Sequence, residues 1–199
     1  MEFNEIIKEI EKEFRKKMNA LGLPYHNWRH VTDFATALNN LISCHNTLIV
    51  KKISEEEREN AIIAGYLHEI GIIEELPEHK GKSITGAGEF LKYRKPGHEE
   101  RGIKMAGKFL KEKIPAERIA RIQKLIKATE PNKDKITQNS LEKMMIDADL
   151  QNKGREFNES LNSALNVMKE EFAGEPHEWL KSNEKFLEQN FHSEAARIL

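Results

Sequence analysis

The stretch YHNWRHV, residues 25–31, places His26 and His30 four positions apart. If a helix has already begun at His26, both imidazoles project from one helix face about one turn apart. Two ligands at that spacing can serve a single metal ion. The same pair also suits a surface or a helix cap, so it gains meaning only if further ligands lie downstream.

A second group of polar residues lies in YLHEIG, residues 66–71, at the end of the apolar segment NAIIAGYLHEIG. Burying His68 and Glu69 there is costly unless each side chain finds a partner. A neutral His68 paired with Glu69 would meet that need. A bound cation would also meet it, because it satisfies both groups at once.

Two carboxylates follow another apolar stretch in MMIDADLQN, residues 144–152. Asp147 and Asp149 are poorly placed there for solvation alone, which makes both of them candidate ligands. Capping of a following helix that begins near Asn152 is the alternative interpretation.

The segment GHEERG, residues 97–102, has the pattern of a helix start. Glu99 and Glu100 suit the positive end of a helix, which explains these two side chains. That pattern does not explain His98, which is therefore a further candidate for the site.

The elements that must position these residues are helical. Apolar residues recur at steps of three and four over residues 3–21, which predicts a first helix that LGLP ends. A second helix is predicted over 27–48, and SEEE at residues 54–57 is a capping box that starts a third helix running to about Ile70. Residues 71–97 are interpreted mainly as a long loop with a short helix at 86–93. Further helices are predicted over 98–112, 115–128, 139–152, 155–173 and 176–190.

We therefore predict an all-α fold, a single-domain helical bundle spanning residues 1–199. The motifs occupy a core of about residues 20–160, and the C-terminal helices of residues 161–199 are expected to pack on it. No alternating pattern of useful length predicts a β-strand.

Composition excludes several classes of protein. The chain has 199 residues, of which 38% are hydrophobic and 33% charged, which is typical of a soluble helical protein. A net charge of -1 argues against a generic nucleic-acid binder. No apolar run approaches the ~18 residues of a membrane span, and the acidic N-terminus is unlike a signal peptide. Cys44 is the single cysteine, which fits a reducing cytoplasm. Nothing in the sequence predicts the oligomeric state.

Taken together and in order, the four groups resemble the HD superfamily of metal-dependent phosphohydrolases. YHNWRHV is similar to that family's first histidine motif and to the corresponding stretch of cyclic-nucleotide phosphodiesterases. AGYLHEIG occupies the place of the signature His-Asp helix, and HEERGIKMAGKFL, LIKATEPN and MIDADLQNKG follow in the family's order. The resemblance covers about residues 20–160 and is greatest to a bacterial branch of small HD phosphohydrolases, so it implies an HD-type bundle.

The resemblance implies a set of metal ligands, which are His30, His68, Glu69 and Asp149, with Asp147 as the alternative to Asp149. Mixed imidazole and carboxylate ligands suit a divalent transition metal such as Mn, Fe, Co, Ni or Zn. Mg at a second site is a further alternative.

The resemblance also implies catalytic and binding roles. His26 would protonate the departing oxygen of a phosphoester, while Glu69 would act in catalysis as well as in ligation. His98 and Asn27 would bind the substrate, and a second metal is the alternative for His98. The expected partner is a small phosphorylated molecule, with a nucleotide among the candidates.

Glu69 departs from the family, which has aspartate at this position. One more methylene moves the carboxylate by ~1.5 Å, whereas metal–ligand distances tolerate only ~0.2 Å. Either the helix retreats, the carboxylate folds back, or coordination is lost. Two functions follow: a metal-dependent phosphohydrolase acting on a nucleotide or other small phosphorylated metabolite, or a catalytically silent HD-fold protein that binds a nucleotide or a protein partner.

Overall fold

The computed structural model describes residues 1–49, 51–74, 94–130 and 139–149, together with residues 193, 195 and 196. Within these residues the chain is helical and contains no strand. The elements are α1 (Phe3–Asn19), α2 (Trp28–Leu48), α3 (Glu55–Leu67), a 3-10 helix (Ile70–Ile73), α4 (His98–Leu110), α5 (Ala116–Ala128) and α6 (Ser140–Asp149). The predicted all-α fold class is confirmed.

The first helix, α1, supplies one wall of the core. Ile6, Ile10, Phe14 and Met18 form its buried stripe, at the three- and four-residue steps of an amphipathic helix. Gly22 follows with a φ of 64°, a left-handed conformation that glycine adopts without strain. The chain thereby turns from α1 into the segment that carries the first histidine.

The second helix, α2, begins at Trp28, because Asn27 caps it. The Asn27 side-chain oxygen accepts hydrogen bonds from the backbone N–H groups of Arg29 at 2.9 Å and His30 at 3.4 Å. His26 therefore lies before the helix and not on its face. The condition for the His26–His30 helix pair is not met, although the two ring centroids still lie only 5.8 Å apart.

The third helix, α3, starts at the predicted capping box, in which Ser54 and Glu57 each bind the other's backbone N–H. It ends at Leu67 and not at Ile70, and the chain tightens into the 3-10 helix, as is common at a helix C-terminus. The interpretation of the residues after Gly71 as loop is wrong for this short stretch. Ile70 and Ile72 are fully buried, so burial keeps the chain helical and against the core.

The later helices α4, α5 and α6 begin and end within a few residues of their predicted bounds. The short helix predicted at 86–93 and the helices predicted at 155–173 and 176–190 lie outside the described residues. At the C-terminal end, the Ser193 N–H donates a 2.6 Å hydrogen bond to Asp147 Oδ2, and Ala195 is buried. This much of the C-terminal region packs on the motif core.

Helix packing brings the candidate residues to one place. Helix α2 packs against α3 and α6, α3 packs against α5, and α4 packs against the 3-10 helix and α5. His30 lies in the first turn of α2, His68 and Glu69 directly follow α3, His98 opens α4, and Asp149 closes α6. None of the helices among the described residues has the length and apolar character needed to cross a bilayer.

Candidate metal centre

Four side chains from three parts of the fold meet in one cluster. His30, His68, Glu69 and Asp149 each present one ligand atom, and these four atoms all lie within 4.8 Å of one another. Three of the side chains are buried, whereas the Asp149 side chain is 34% exposed.

The spacing of these atoms fits a single ion. His30 Nε2 lies 3.3 Å from His68 Nε2 and 3.5 Å from Asp149 Oδ1, and His68 Nε2 lies 3.5 Å from Glu69 Oε1. Ligands placed about 2.1 Å from one tetrahedral ion are about 3.4 Å apart. The group can therefore hold a metal ion, and its two imidazoles and two carboxylates are donors that divalent transition metals accept.

The choice between the two aspartates of the DADL sequence follows from their positions. Asp149 Oδ1 lies 3.5 Å from His30 Nε2 and 3.9 Å from His68 Nε2, inside the cluster. Asp147 is buried, and its Oδ2 accepts the hydrogen bond of the Ser193 backbone. Asp147 thus anchors the C-terminal region, and Asp149 is the residue placed for ligation.

His68 is held in the tautomer that a metal ligand needs. Its Nδ1 lies 2.6 Å from the carbonyl oxygen of Gly65, which can only accept, so Nδ1 carries the proton and Nε2 faces the cluster. The ring stacks on Phe34 with centroids 4.1 Å apart and planes 28° apart. Burial lowers the pKa of His68, so the imidazole is neutral and its lone pair is available.

Glu69 uses its two oxygens in two directions. Oε1 lies 3.5 Å from His68 Nε2 and 4.0 Å from His30 Nε2, whereas Oε2 lies 3.3 Å from His98 Nε2. Burial raises the pKa of Glu69, but the charges of His98 and His26 outweigh it and hold the pKa well below its ordinary value. Of the three outcomes considered for the extra methylene, loss of the carboxylate from the cluster is not observed.

His98 is the partner that the second Glu69 oxygen faces. Its Nδ1 donates to the Lys95 carbonyl at 2.7 Å, so Nδ1 carries a proton. The contact of Nε2 with the Glu69 carboxylate is then favourable only if Nε2 is protonated too, or if a cation lies between the two atoms. Burial lowers the pKa of His98, but Glu69 and Glu99 outweigh it and raise the pKa to about 9. In the metal-free protein His98 is therefore an imidazolium at neutral pH.

His26 lies beside the cluster and outside the four-ligand group. Its Nε2 is 4.0 Å from Glu69 Oε1, and its side chain is buried. The Tyr25 ring packs against both His26 and His30, with centroids 4.9 Å and 4.6 Å away. His26 is thus close enough to act on a molecule bound at the cluster.

Asn27 has a structural task that the sequence did not indicate. Its oxygen caps α2, and its amide nitrogen donates to the carbonyls of Leu23 and Pro24 at 3.1 Å and 3.0 Å. Both ends of the amide are used within the chain, so contact with a substrate would have to replace one of these bonds. Substrate binding by Asn27 stays a prediction.

Sequence reasoning missed the residues that support the ligands. Phe34 stacks on His68, and its position four residues after His30, on the same face of α2, is the signal that could have found it. The carbonyl of Gly65 left no signal, because no side-chain motif records a contact with a backbone atom. Among the described residues no second ligand group accompanies the first, so the second site for Mg stays a prediction.

Comparison of the chain with protein-family models, with curated proteins and with solved structures finds no match.

Proposed function

We propose that the protein is a metal-dependent phosphohydrolase of the HD type, which hydrolyses a phosphoester of a nucleotide or another small phosphorylated metabolite. The observation that carries the proposal is the convergence of His30, His68, Glu69 and Asp149 within 4.8 Å, with the imidazoles of His26 and His98 next to Glu69. Two imidazoles and two carboxylates meeting at one point favour a cation there, because burying such groups without partners is costly. The donor set therefore fits a divalent transition metal.

In the proposed reaction the metal ion and the side chains have different roles. A bound divalent ion supplies Lewis acidity toward water and toward a phosphoryl oxygen. A substrate would reach the cluster beside Asp149, since the other three ligands are buried. His26 holds a proton at Nε2 for the departing oxygen, and it can do so because it lies beside the ligands and is not one of them.

His98 has the second supporting role in this scheme. Its Nε2 contacts the Glu69 oxygen that points away from the other ligands, so its positive charge orients that carboxylate. An imidazolium so close to the cluster would also attract a phosphate group. The substrate contact proposed for His98 is therefore compatible with its contact to Glu69.

A turnover screen with a matched pair of histidine variants tests the proposal. The wild-type protein is assayed with nitrophenyl phosphate, bis-nitrophenyl phosphate, cyclic nucleotides and nucleoside mono- and triphosphates, each with Mn, Co, Ni, Zn or Mg. We expect metal-dependent turnover that His68→Ala abolishes. His45→Ala is the control, because His45 is also buried but lies on α2 against the Lys51 carbonyl, and this variant should keep its activity.

The alternative function gives a different result in the same screen. A catalytically silent HD-fold protein would bind a nucleotide and gain thermal stability from it, with no turnover under any metal. That outcome in a protein that holds its metal would reject the hydrolase and favour the binding protein.

A further inference from the structure

The side chain of Arg101 joins two segments of the chain that border the cluster. Its Nε donates to the Gly71 carbonyl at 3.1 Å, its Nη1 donates to the Pro96 carbonyl at 2.7 Å, and its Nη2 donates to the Arg94 carbonyl. Gly71 belongs to the 3-10 helix after Glu69, whereas Pro96 and Arg94 precede α4. One planar guanidinium therefore binds both segments, with one hydrogen bond to the 3-10 helix and two to the residues before α4.

A close backbone approach sets the lower limit of the spacing between these segments. A Cβ atom at Gly71 would lie 1.8 Å from the His98 carbonyl oxygen and 2.6 Å from the Gly102 nitrogen. The 3-10 helix thus rests directly on the backbone of α4. The segments cannot move closer, and the hydrogen bonds of Arg101 oppose their separation.

Arg94 reinforces the same joint from the other side. Its Nη1 donates to the carbonyls of Ile72 at 3.0 Å and Ile73 at 2.7 Å, and the residue is buried. Two guanidinium groups thus hold five backbone carbonyls at one junction. Arginine suits this task because its fork presents several donors in fixed directions, which a lysine ammonium does not.

The junction lies where the Glu69–His98 contact is made. Glu69 precedes Gly71 by two residues, and His98 follows Pro96 by two. The 3.3 Å contact between Glu69 Oε2 and His98 Nε2 therefore spans the same gap that Arg101 closes. Any widening of the gap would draw His98 away from Glu69 and release the carboxylate from its orientation.

We propose that Arg101 is a positioning residue of the metal centre, which holds the Glu69 carboxylate between His98 and the other ligands by fixing the 3-10 helix against α4. The proposal rests on the proposed metal-binding function. Ligand distances tolerate errors of only about 0.2 Å, and removal of residues that orient ligands typically weakens metal binding about 10- to 100-fold. Loss of the guanidinium should therefore reduce metal affinity without removing any ligand.

The experiment compares Arg101→Met and Arg101→Lys with the wild-type chain and with Arg118→Met. Arg118 is the matched control, since it also joins two helices, through 2.8 Å and 3.0 Å bonds to Asn60 and Glu59. Each protein is stripped with a chelator, and Zn or Mn affinity is measured by calorimetry. The melting temperature is recorded with and without metal, because metal-induced stabilisation reports affinity by mass action.

Arg101→Met should bind metal about tenfold more weakly or worse and gain less melting temperature from metal than the wild type. Arg101→Lys should fall between the two. Arg118→Met should lower the melting temperature of both forms equally and leave the affinity unchanged, as a purely structural arginine would.

Wild-type affinity in Arg101→Met would overturn the proposal while leaving the metal site intact. A wild-type chain that binds no metal would overturn the proposed function, and this inference with it. If Arg101→Met does not fold, Arg101→Lys decides: weakened affinity supports the proposal, and unchanged affinity overturns it.

Discussion

The Nε2 atoms of His30 and His68 face each other at 3.3 Å, although 38 residues separate them in the sequence. The Gly65 carbonyl fixes the His68 proton on Nδ1, and burial lowers the pKa of His68, so its Nε2 presents a lone pair. Two facing imidazole nitrogens need a proton or a cation between them. With the oxygens of Glu69 and Asp149 at the same place, the four side chains could hold a metal ion there.

The role of His26 can be separated from ligation. Because His26 precedes α2 and lies outside the four-ligand group, His26→Ala should keep the metal and lose rate by about 10²-fold or more. The loss should be smaller for substrates with nitrophenolate leaving groups, which need little protonation. Metal analysis and steady-state kinetics on both substrate classes make the measurement. A His26→Ala protein that has lost its metal would show that His26 is a ligand.

Glu69→Asp tests whether the site is adapted to glutamate. The Glu69 carboxylate reaches His68 with one oxygen and His98 with the other, and aspartate would withdraw both by ~1.5 Å. We expect metal affinity and turnover to fall together.

Glu142→Asp is the control for this change, since Glu142 is also buried but pairs with Lys124 at 3.0 Å. It should leave metal affinity unchanged. A gain in both metal occupancy and turnover in Glu69→Asp would mean that glutamate weakens an aspartate site.

The pH dependence of stability should report the His98 contact. The pKa of His98 is about 9 in the folded protein against an ordinary value of 6.5. A pKa raised on folding stabilises the protein fully below 6.5, and this stabilisation is lost as the pH rises through about 9. The free energy of unfolding of the metal-free protein, from urea denaturation, should therefore fall across that range.

His98→Gln provides the reference for the pH series. Its unfolding free energy should change less over the same range, because the group that titrates has been removed. Equal slopes for the two proteins would show that the Glu69–His98 contact contributes nothing to stability.

Gly71 should tolerate no side chain. Gly71→Ala would bring a Cβ to 1.8 Å from the His98 carbonyl oxygen, so the 3-10 helix and α4 must separate, at a cost of about 1–3 kcal/mol or more. Calorimetric melting should show this loss, and metal affinity should fall with it. Gly22→Ala is the control, because a φ of 64° strains alanine although an added Cβ would meet no atom within 4 Å. It should destabilise the fold modestly and leave metal affinity unchanged.

Local rules predicted most of the fold. The capping box of Ser54 and Glu57 and the apolar stripe of α1 are formed by residues within one or two turns, so the sequence displays them directly. The start of α2 was placed one residue early, because Asn27 acts as the cap and not as the first helical residue. The 3-10 helix was missed because it depends on the burial of Ile70 and Ile72 against residues distant in the sequence.

The sequence predicted those residues of the candidate site whose side chains are typical metal ligands. His68, Glu69, Asp147 and Asp149 stood out because polar groups in apolar segments need partners, and His30 stood out by its spacing from His26. The set of four ligands was implied by the resemblance to the HD superfamily. The choice between Asp147 and Asp149 depended on the residue at which α6 ends, and no local sequence pattern determines that residue. The task of Arg101 was hidden for a related reason, since the carbonyls that it binds carry no side-chain signature.

The metal content of the wild-type chain beside His68→Ala tests the central claim most directly. Both proteins are purified without chelator, reconstituted with Mn, Fe, Co, Ni or Zn, freed of loosely bound ions and analysed by elemental mass spectrometry. The four converging donors predict about one ion per wild-type chain, as a single tetrahedral set implies, and loss of that ion in His68→Ala. A wild-type chain that remains folded and takes up no metal under any of these conditions would contradict the account.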